Sequence, residues 1–545
     1  MKNVKYIFAT LVLSMGLTSC GDSFLTQYPE GGLLLEEQYQ QLQDKLQGAL
    51  LGIYSKLYEY GNHDTFGQRS IDMYTDIQSG DMAMKKSSYG WFESYERGYF
   101  YAYARSYLWS YYYEIINLTN LCDIAIEKDV PAILDGLITE DVSDEIAVNG
   151  YYYGQILALR GWAYAGLLNY YCDARDVETA DMDAKAVPVY VGTDIKAGTL
   201  GAPLSTVGEV YDRIYEDLSE AIDLLEFYGK LNNRGSKLEI DADVARLILA
   251  YAMLNHGDKT FTVADGKNCY QIALEQAKTV IDGGKYPMMP RAELTTTGFS
   301  NLDASNWMWG ENVTVENTTA LGSFFGQVDI HTYSYAAAGD TKAIDSKLYD
   351  DIANMKWDAR QDWFRDVNGE SKIGNGATKG GWAYCPDGKF YNPKTKDVTS
   401  LDKVDRDWLC DNLFMRVELA YLIAAEAAWS NGDNATAVSY LDRLCSERKK
   451  EGKDAEYSAW LASLSGTTAV KNAIVYNWRV EMWGEGYSMQ LLRRLEKERT
   501  LGKNHLSRAD KVVNVVEERE QFQCEIPTSE TRYNPQIGNT ELTHE

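Results

Sequence analysis

The sequence predicts a mainly α fold, in which tetratricopeptide-like helical hairpins form a scaffold around a loop-rich, partly β ligand-binding insertion. Three observations carry this. Residues 413–448 read as two helices broken by Ser430-Asn431-Gly432-Asp433, with Gly432 suited to a left-handed cap. The first half is apolar on nearly every side and must be buried between other elements, while Ala437, Leu441 and Leu444 give the second half one packed face. The pattern then recurs. Residues 242–286 hold ADVARLILAYAMLNHGD followed by QIALEQAKTVIDGGKY, and residues 156–171 pair with 207–225. Lastly, residues 287–410 turn rich in Gly, Asn, Asp, Thr and aromatics, as expected of a functional, loop-rich insertion with some strands. The hairpins are not in tandem, so packed pairs separated by inserts are expected rather than a simple solenoid.

In chain order, Lys2 and Lys5 precede a short apolar run, and Leu17-Thr18-Ser19-Cys20 closes it with small residues before a cysteine. This is a secretory signal over 1–19 with a bacterial lipobox, which makes Cys20 the acylated first residue of the mature chain. Residues 20–32 form a polar tether from that lipid, and 33–545 form a single domain. Residues 35–60 read as a first amphipathic helix, 72–98 as loop, 101–127 and 149–171 as helix. A helical piece lies near 344–352 and a long helix over 469–498, and the C-terminus reads as an extended tail.

The formal net charge of −27 argues against nucleic acid as a partner, because phosphate binding needs a cationic footprint. Seven cysteines remain beyond Cys20, scattered and without a C-x-x-C pair, so buried thiols are expected rather than a disulfide framework or a zinc ribbon. No motif asks for a cofactor, and a structural calcium ion would leave no readable spacing. The five histidines show no metal-ligand spacing, and there is no G-x-S-x-G or Walker loop. Glu481 and Glu485 lie one helical turn apart near Arg479, Arg493 and Arg494, which reads as a structural ion network rather than a catalytic pair. Glu426, inside an apolar helix, needs a buried partner.

The densest aromatic stretch is YGWFESYERGYFYAYARSYLWSYYY, residues 89–113, where 13 of 25 residues are aromatic. From Tyr101 onward the pattern is helical, and Trp109, Tyr113 and Ile116 read as core. Tyr89, Trp91, Phe92 and Tyr95 precede the helix among Ser, Gly and Glu and are candidates for stacking on a sugar ring. Tyr333 and Tyr335 in HTYSYAAAGD, and Trp382 and Tyr384 in GGWAYCPDGKFY, could form the far wall of such a platform. Trp307 and Trp309 alternate like a strand, with one face in the core. Asp76 and Asp81 are candidates for hydrogen bonds to sugar hydroxyls. One stack removing roughly 80 Å² of apolar surface contributes about 2 kcal/mol, so two or three give affinities around micromolar to millimolar.

With the lipobox and the early GDSFLTQYPEG, the stretches ALRGWAYAGLLNYY, MRVELAYLIAAEAAWSNGDNATAVSYLDRL, NWRVEMWGEGYSMQLLRR and EIPTSETRYNPQIGN follow one another in a recognisable order. In this the chain resembles the SusD/RagB family of outer-membrane nutrient-binding lipoproteins. It departs after Gly484-Glu485-Gly486, where Tyr487-Ser488-Met489-Gln490-Leu491 replaces the usual second Arg and aromatic-Asp-Leu. The resemblance implies a non-catalytic, outward-facing outer-membrane protein, held by its N-terminal lipid alone. It also implies an oligosaccharide ligand and a SusC-like TonB-dependent transporter as partner. The alternatives are a peptide ligand on the same architecture, a helical-fold glycoside hydrolase, or a protein-binding tetratricopeptide adaptor.

Overall fold

The computed structural model describes residues 46–126, 144–172, 182–192, 201–232, 236–257, 266–394 and 406–537. The signal, Cys20, the tether and the start of the first helix lie outside these. The first helix, α1 (Leu46–Lys56), stops short of Tyr60, and the chain turns into a hairpin of β1 (Tyr60–Asn62) and β2 (Thr65–Phe66). Residues 72–98 are not the loop expected. They begin inside a helix, α2 (Gln68–Ser79), that is buried from Arg69 to Ser79. Many of its polar groups find protein partners: Arg69 donates to Asp72 at 2.7 Å and to the Gly484 carbonyl at 2.9 Å. Ile71, Tyr74 and Ile77 give it a helical apolar spacing, interrupted by the polar residues that are buried beside them. Gly80, in the left-handed region at φ 90°, ends it, and β3 (Met82–Met84) follows.

The helical scaffold runs through α3 (Ala102–Ala125), α4 (Asp144–Tyr171), α5 (Val207–Asn232), α6 (Ala242–His256) and α7 (Cys269–Gly283). Helices α4 and α5 approach closely because Gly154 and Gly161 face Leu225 and Leu218. A Cβ at either glycine would lie 2.8 Å from the opposing leucine. Arg160 joins the two helices through a buried pair with Asp217 at 2.7 Å. Asp241 caps α6, and Asn268 with Gln271 forms a capping box on α7.

The loop-rich stretch supplies β4 (Trp307–Glu311), β5 (Lys342–Ile344) and α8 (Ser346–Met355), with one-turn helices at Phe324–Val328 and Tyr335–Ala338. It is stitched into the scaffold at two places. Strand β4 pairs antiparallel with β6 (Asn412–Arg416), Trp307 opposite Arg416, and β5 pairs with β3, Met82 opposite Ile344. Trp307 and Trp309 are both buried, not one face alone. Trp109 and Ile116 are core, and Tyr113 packs against it half-buried.

Residues 412–416 are strand, so the expected C-terminal hairpin begins later, as α9 (Glu418–Ser430) and α10 (Asn434–Ser446). Its break is as read: Gly432 has φ 86°, and Asp433 caps α10 by accepting from the Thr436 amide. The long helix expected over 469–498 is α11 (Thr467–Glu481). It ends because Gly484 and Gly486, at φ 77° and 85°, turn the chain. A one-turn helix (Ser488–Leu491) and a hairpin of β7 (Glu498–Thr500) with β8 (Val512–Asn514) follow. In space α3 packs on α4, α4 on α5, α5 on α6, α6 on α7 and α7 on α9, with α10 and α11 closing the stack.

Where α9, α10 and α11 meet, Glu481 accepts from Arg416 at 2.7 Å and Arg448 at 2.8 Å, and lies 3.1 Å from Arg360. Glu485 pairs with Arg416 and with Lys389, at 2.8 and 2.6 Å. The ion network is as expected but its cations are not. Arg479 pairs instead with Asp81, Arg493 donates to carbonyls of Asn169 and Cys172, and Arg494 is the partner Glu426 requires. The seven described cysteines are buried free thiols. Among the described residues no helix is long and apolar enough to cross a membrane.

Candidate functional site

Three of the predicted aromatics come together on the surface. Tyr89 and Trp91 sit on the loop after β3, and Tyr335 opens the Tyr335–Ala338 turn. The Tyr335 ring lies 5.3 Å from that of Tyr89 and 6.1 Å from that of Trp91, both edge-on. The β1–β2 hairpin adds two rings, Tyr60, which the sequence places at the end of a helix, and His63 beyond it. His63 is 4.7 Å from Trp91 and 5.2 Å from Tyr335, and Tyr60 stacks on His63 at 6.1 Å. His63 Nδ1 and the Tyr335 hydroxyl form a hydrogen bond. Tyr89 and Tyr60 are 59% and 42% exposed, so the cluster offers solvent-facing rings backed by half-buried and buried ones. An aromatic next to a Gly-Asn turn, as in Tyr60-Gly61-Asn62-His63, was the available signal.

The platform is held from below. Asp340 Oδ1 accepts from the amides of Ser88 and Tyr89 at 2.6 and 2.9 Å, which fixes the Tyr89–Trp91 loop against β5. Gln327 donates to the His63 carbonyl at 2.9 Å and accepts from Lys342 at 2.6 Å, tying the hairpin to the same strand. Burial pulls the Lys342 ammonium down to about 7. Asp340→Ala should therefore speed hydrogen exchange at the Ser88 and Tyr89 amides about tenfold. Asp340→Asn, which keeps an acceptor oxygen, should leave them near wild type. Equal exchange in wild type and Asp340→Ala would mean that the carboxylate does not hold the loop.

Other predicted residues lie elsewhere. Phe92 and Tyr95 are buried in the core, Tyr95 stacked on Tyr74 at 4.2 Å, and neither can meet a ligand at the surface. Asp76 and Asp81 are likewise withdrawn from solvent. Asp76 accepts from the Gly484 amide at 2.6 Å, and Asp81 pairs with Arg479 and Arg499 at 2.7 and 2.9 Å. Burial, aided by nearby Asp81, pushes the Asp76 carboxyl up to about 7. Both hold α2 to the C-terminal segment. Tyr333 is 72% exposed, adjoining the platform through Ser334, which donates to the Ala320 carbonyl. Trp382 and Tyr384 are half-buried and form a neighbouring patch. Their ring contacts are with His331 and Tyr349, and Lys85 ties them to the end of β3 by donating to the Gly381 and Ala383 carbonyls.

Behind the site, His505 bridges Glu96, at 3.1 Å, and Asp345, at 3.2 Å, which locks the segment after Trp91 to α8. Burial alone would lower its pKa, but the Asp345 and Glu96 carboxylates outweigh burial and hold it at about 8. Its folded pKa thus lies above the ordinary histidine value of about 6.5. The stability it contributes is full below that value and is lost as pH rises through about 8. The difference in unfolding free energy between wild type and His505→Gln should shrink by about 1–2 kcal/mol over that interval. A difference that does not vary with pH would show that the imidazolium form is not the one bridged.

No group of three or more His, Cys, Asp or Glu side chains is placed to hold a metal ion among the described residues. Residues 34–249 match the family model SusD-like, described as starch-binding associating with outer membrane. No curated protein matches the chain. A SusD-like carbohydrate binding protein from Bacteroides vulgatus superposes with a TM-score of 0.65 at 20% identity, over 92% of this chain and 98% of its own. A SusD superfamily protein from Bacteroides thetaiotaomicron gives 0.68 at 20% identity, over 91% and 99%. A putative sugar binding protein from Bacteroides vulgatus gives 0.63 at 21%, over 90% and 97%. At these identities the likenesses speak to the fold.

Proposed function

We propose that the chain is a SusD-like protein and, from that premise, a non-catalytic cell-surface binding protein for oligosaccharides. It hands its ligand to a SusC-like TonB-dependent transporter, faces outward from the outer membrane and is held there by lipid on Cys20. The observation that carries the reading is the surface cluster of Tyr60, His63, Tyr89, Trp91 and Tyr335. Aromatic faces cover the C–H faces of sugar rings, and the Tyr and His polar atoms at the edge supply hydrogen bonds to hydroxyls. Trp382 and Tyr384 form a second patch along the same surface, where a longer chain could continue.

The one carboxylate pair singled out by its spacing, Glu481 and Glu485, is taken up by the scaffold's cations. Glu481 is buried, and although burial would raise its pKa, Arg448 and Arg416 hold it well below the usual range. It is a fixed anion of the scaffold rather than a proton donor. The description of the matched family, starch-binding associating with outer membrane, points the same way.

Calorimetric titration with plant, host and microbial oligosaccharides, with mixed peptides as control, tests the proposal when each mixture is also assayed for breakdown products. Micromolar to millimolar binding of one glycan class without products is the expected result. Peptide binding alone would replace the ligand class, and released sugars would make the protein an enzyme. Co-purification with a TonB-dependent transporter from the native membrane, lost in Cys20→Ala, tests partner and anchor together.

A further inference from the structure

A second opening lies away from the platform, among the helix pairs. It has about 100 Å³ of open volume between α2, α3, α4, α6, β4, β6 and the Gly484–Gly486 turn, and none of the platform residues lines it. At the roughly 30 Å³ that a water occupies in the liquid, this is room for about three waters, so the enclosed part admits one face of a single ring and not a chain. Trp162, Tyr251, Phe414 and Tyr487 give it aromatic walls, and Asn169 and Asn255 add amide groups. All six are half-buried inside a packed core. Gly486 lets the turn pack against Asp72 at the cleft wall, since a Cβ there would lie 2.6 Å from Asp72 Oδ1.

The charges fix the ligand's character. Two carboxylates line the cleft, and both are already matched. Asp72 accepts from Arg69 and Gln68, at 2.7 and 2.9 Å, and Glu485 from Arg416 and Lys389. No unbalanced charge remains to ask for a cation or an anion. Flat apolar walls with neutral hydrogen-bonding groups suit a molecule with C–H faces and hydroxyls. We infer that this cleft binds a single neutral sugar ring, as a site separate from the surface platform. The inference stands on the cleft's own geometry and does not need the platform to bind anything.

Ligand-observed NMR and crystal soaking of the purified protein with neutral hexoses (glucose, galactose, mannose) test it. One hexose should bind saturably and show density in the cleft. Half-buried Ala165 lines it, so Ala165→Phe should weaken that binding at least tenfold, while Trp91→Ala leaves it within twofold. If Ala165→Phe does not fold, Asn169→Leu, whose side chain also lines the cleft, takes its place. Water alone in the cleft at saturating sugar, or hexose binding lost in Trp91→Ala and kept in Ala165→Phe, would overturn the inference. Oligosaccharide affinity that falls with Trp91→Ala reports on the platform separately, so the two readings fail independently.

Discussion

Glu481→Ala is expected to destabilise the protein by about 3–5 kcal/mol, because it leaves buried guanidinium groups without a counter-ion. Asp358, Glu418, Glu481 and Glu485 face Arg360, Arg416, Arg448 and Lys389 in one buried network, so opposite charges balance as it stands. Glu481 touches three of the four cations, all fully buried. Removing it leaves one net positive charge where water cannot reach. Glu481→Gln keeps an acceptor oxygen and should lose less. Urea unfolding at unchanged m-value measures both. A loss under about 1 kcal/mol for the alanine variant would show that the network relaxes around the missing charge rather than depending on it. Acid should act in the same direction. A carboxylate held below its unfolded pKa contributes stability that is present at neutral pH and lost as pH falls through the folded value.

The network also marks where sequence reading stops. Helices with a capping residue and a glycine stop were legible, as at Asp241, Asn268 and Gly432, because those signals act within one turn of chain. Glu481 and Glu485 were recognised as ionic from their spacing. Their cations came from β6, the turn after α10 and the stretch before residue 390, which no local pattern links to α11. Helix α2 escaped for a different reason. Its buried surface mixes Ile71, Tyr74 and Ile77 with polar groups, and its partners Gly484 and Arg499 lie at the far end of the chain. The spacing of Ile71, Tyr74 and Ile77 was countable, but the polar residues between them and the Ser-Gly-Asp that follows read as loop.

The candidate site divides along the same line. Composition singled out the segment 89–95, and two of its four aromatics face the surface while Phe92 and Tyr95 turn inward. Phe92 sits in the left-handed region at φ 65°, a local reversal that carries the chain from surface to core within one residue and that composition cannot reveal. Tyr335 was nominated from its small neighbours, and the pairing of β3 with β5 brings it to Trp91. Asp340, a loop aspartate next to glycine, carries no signal of its own in the sequence. Its role lies in two amides of a distant segment.

Trp91→Ala should weaken oligosaccharide binding by about 1–3 kcal/mol, roughly 5- to 150-fold in Kd. Trp91 is half-buried at the centre of the platform, with His63 on one ring contact and Tyr335 on another. Its removal takes away the largest flat face and loosens the two rings beside it. The fold should stay intact, because the loop is fixed by Asp340 and by β3–β5 pairing rather than by the indole. Unchanged unfolding midpoint with weakened titration is therefore the expected pair of results. A variant that binds as wild type removes Trp91 from the ligand surface and shifts the site to Trp382 and Tyr384. A variant that loses binding and stability together assigns the residue to the core. Tyr60 separates these cases further. Being more exposed and at the edge, its alanine variant should lose less affinity than Trp91→Ala and no stability, which places the strongest contact where the rings converge.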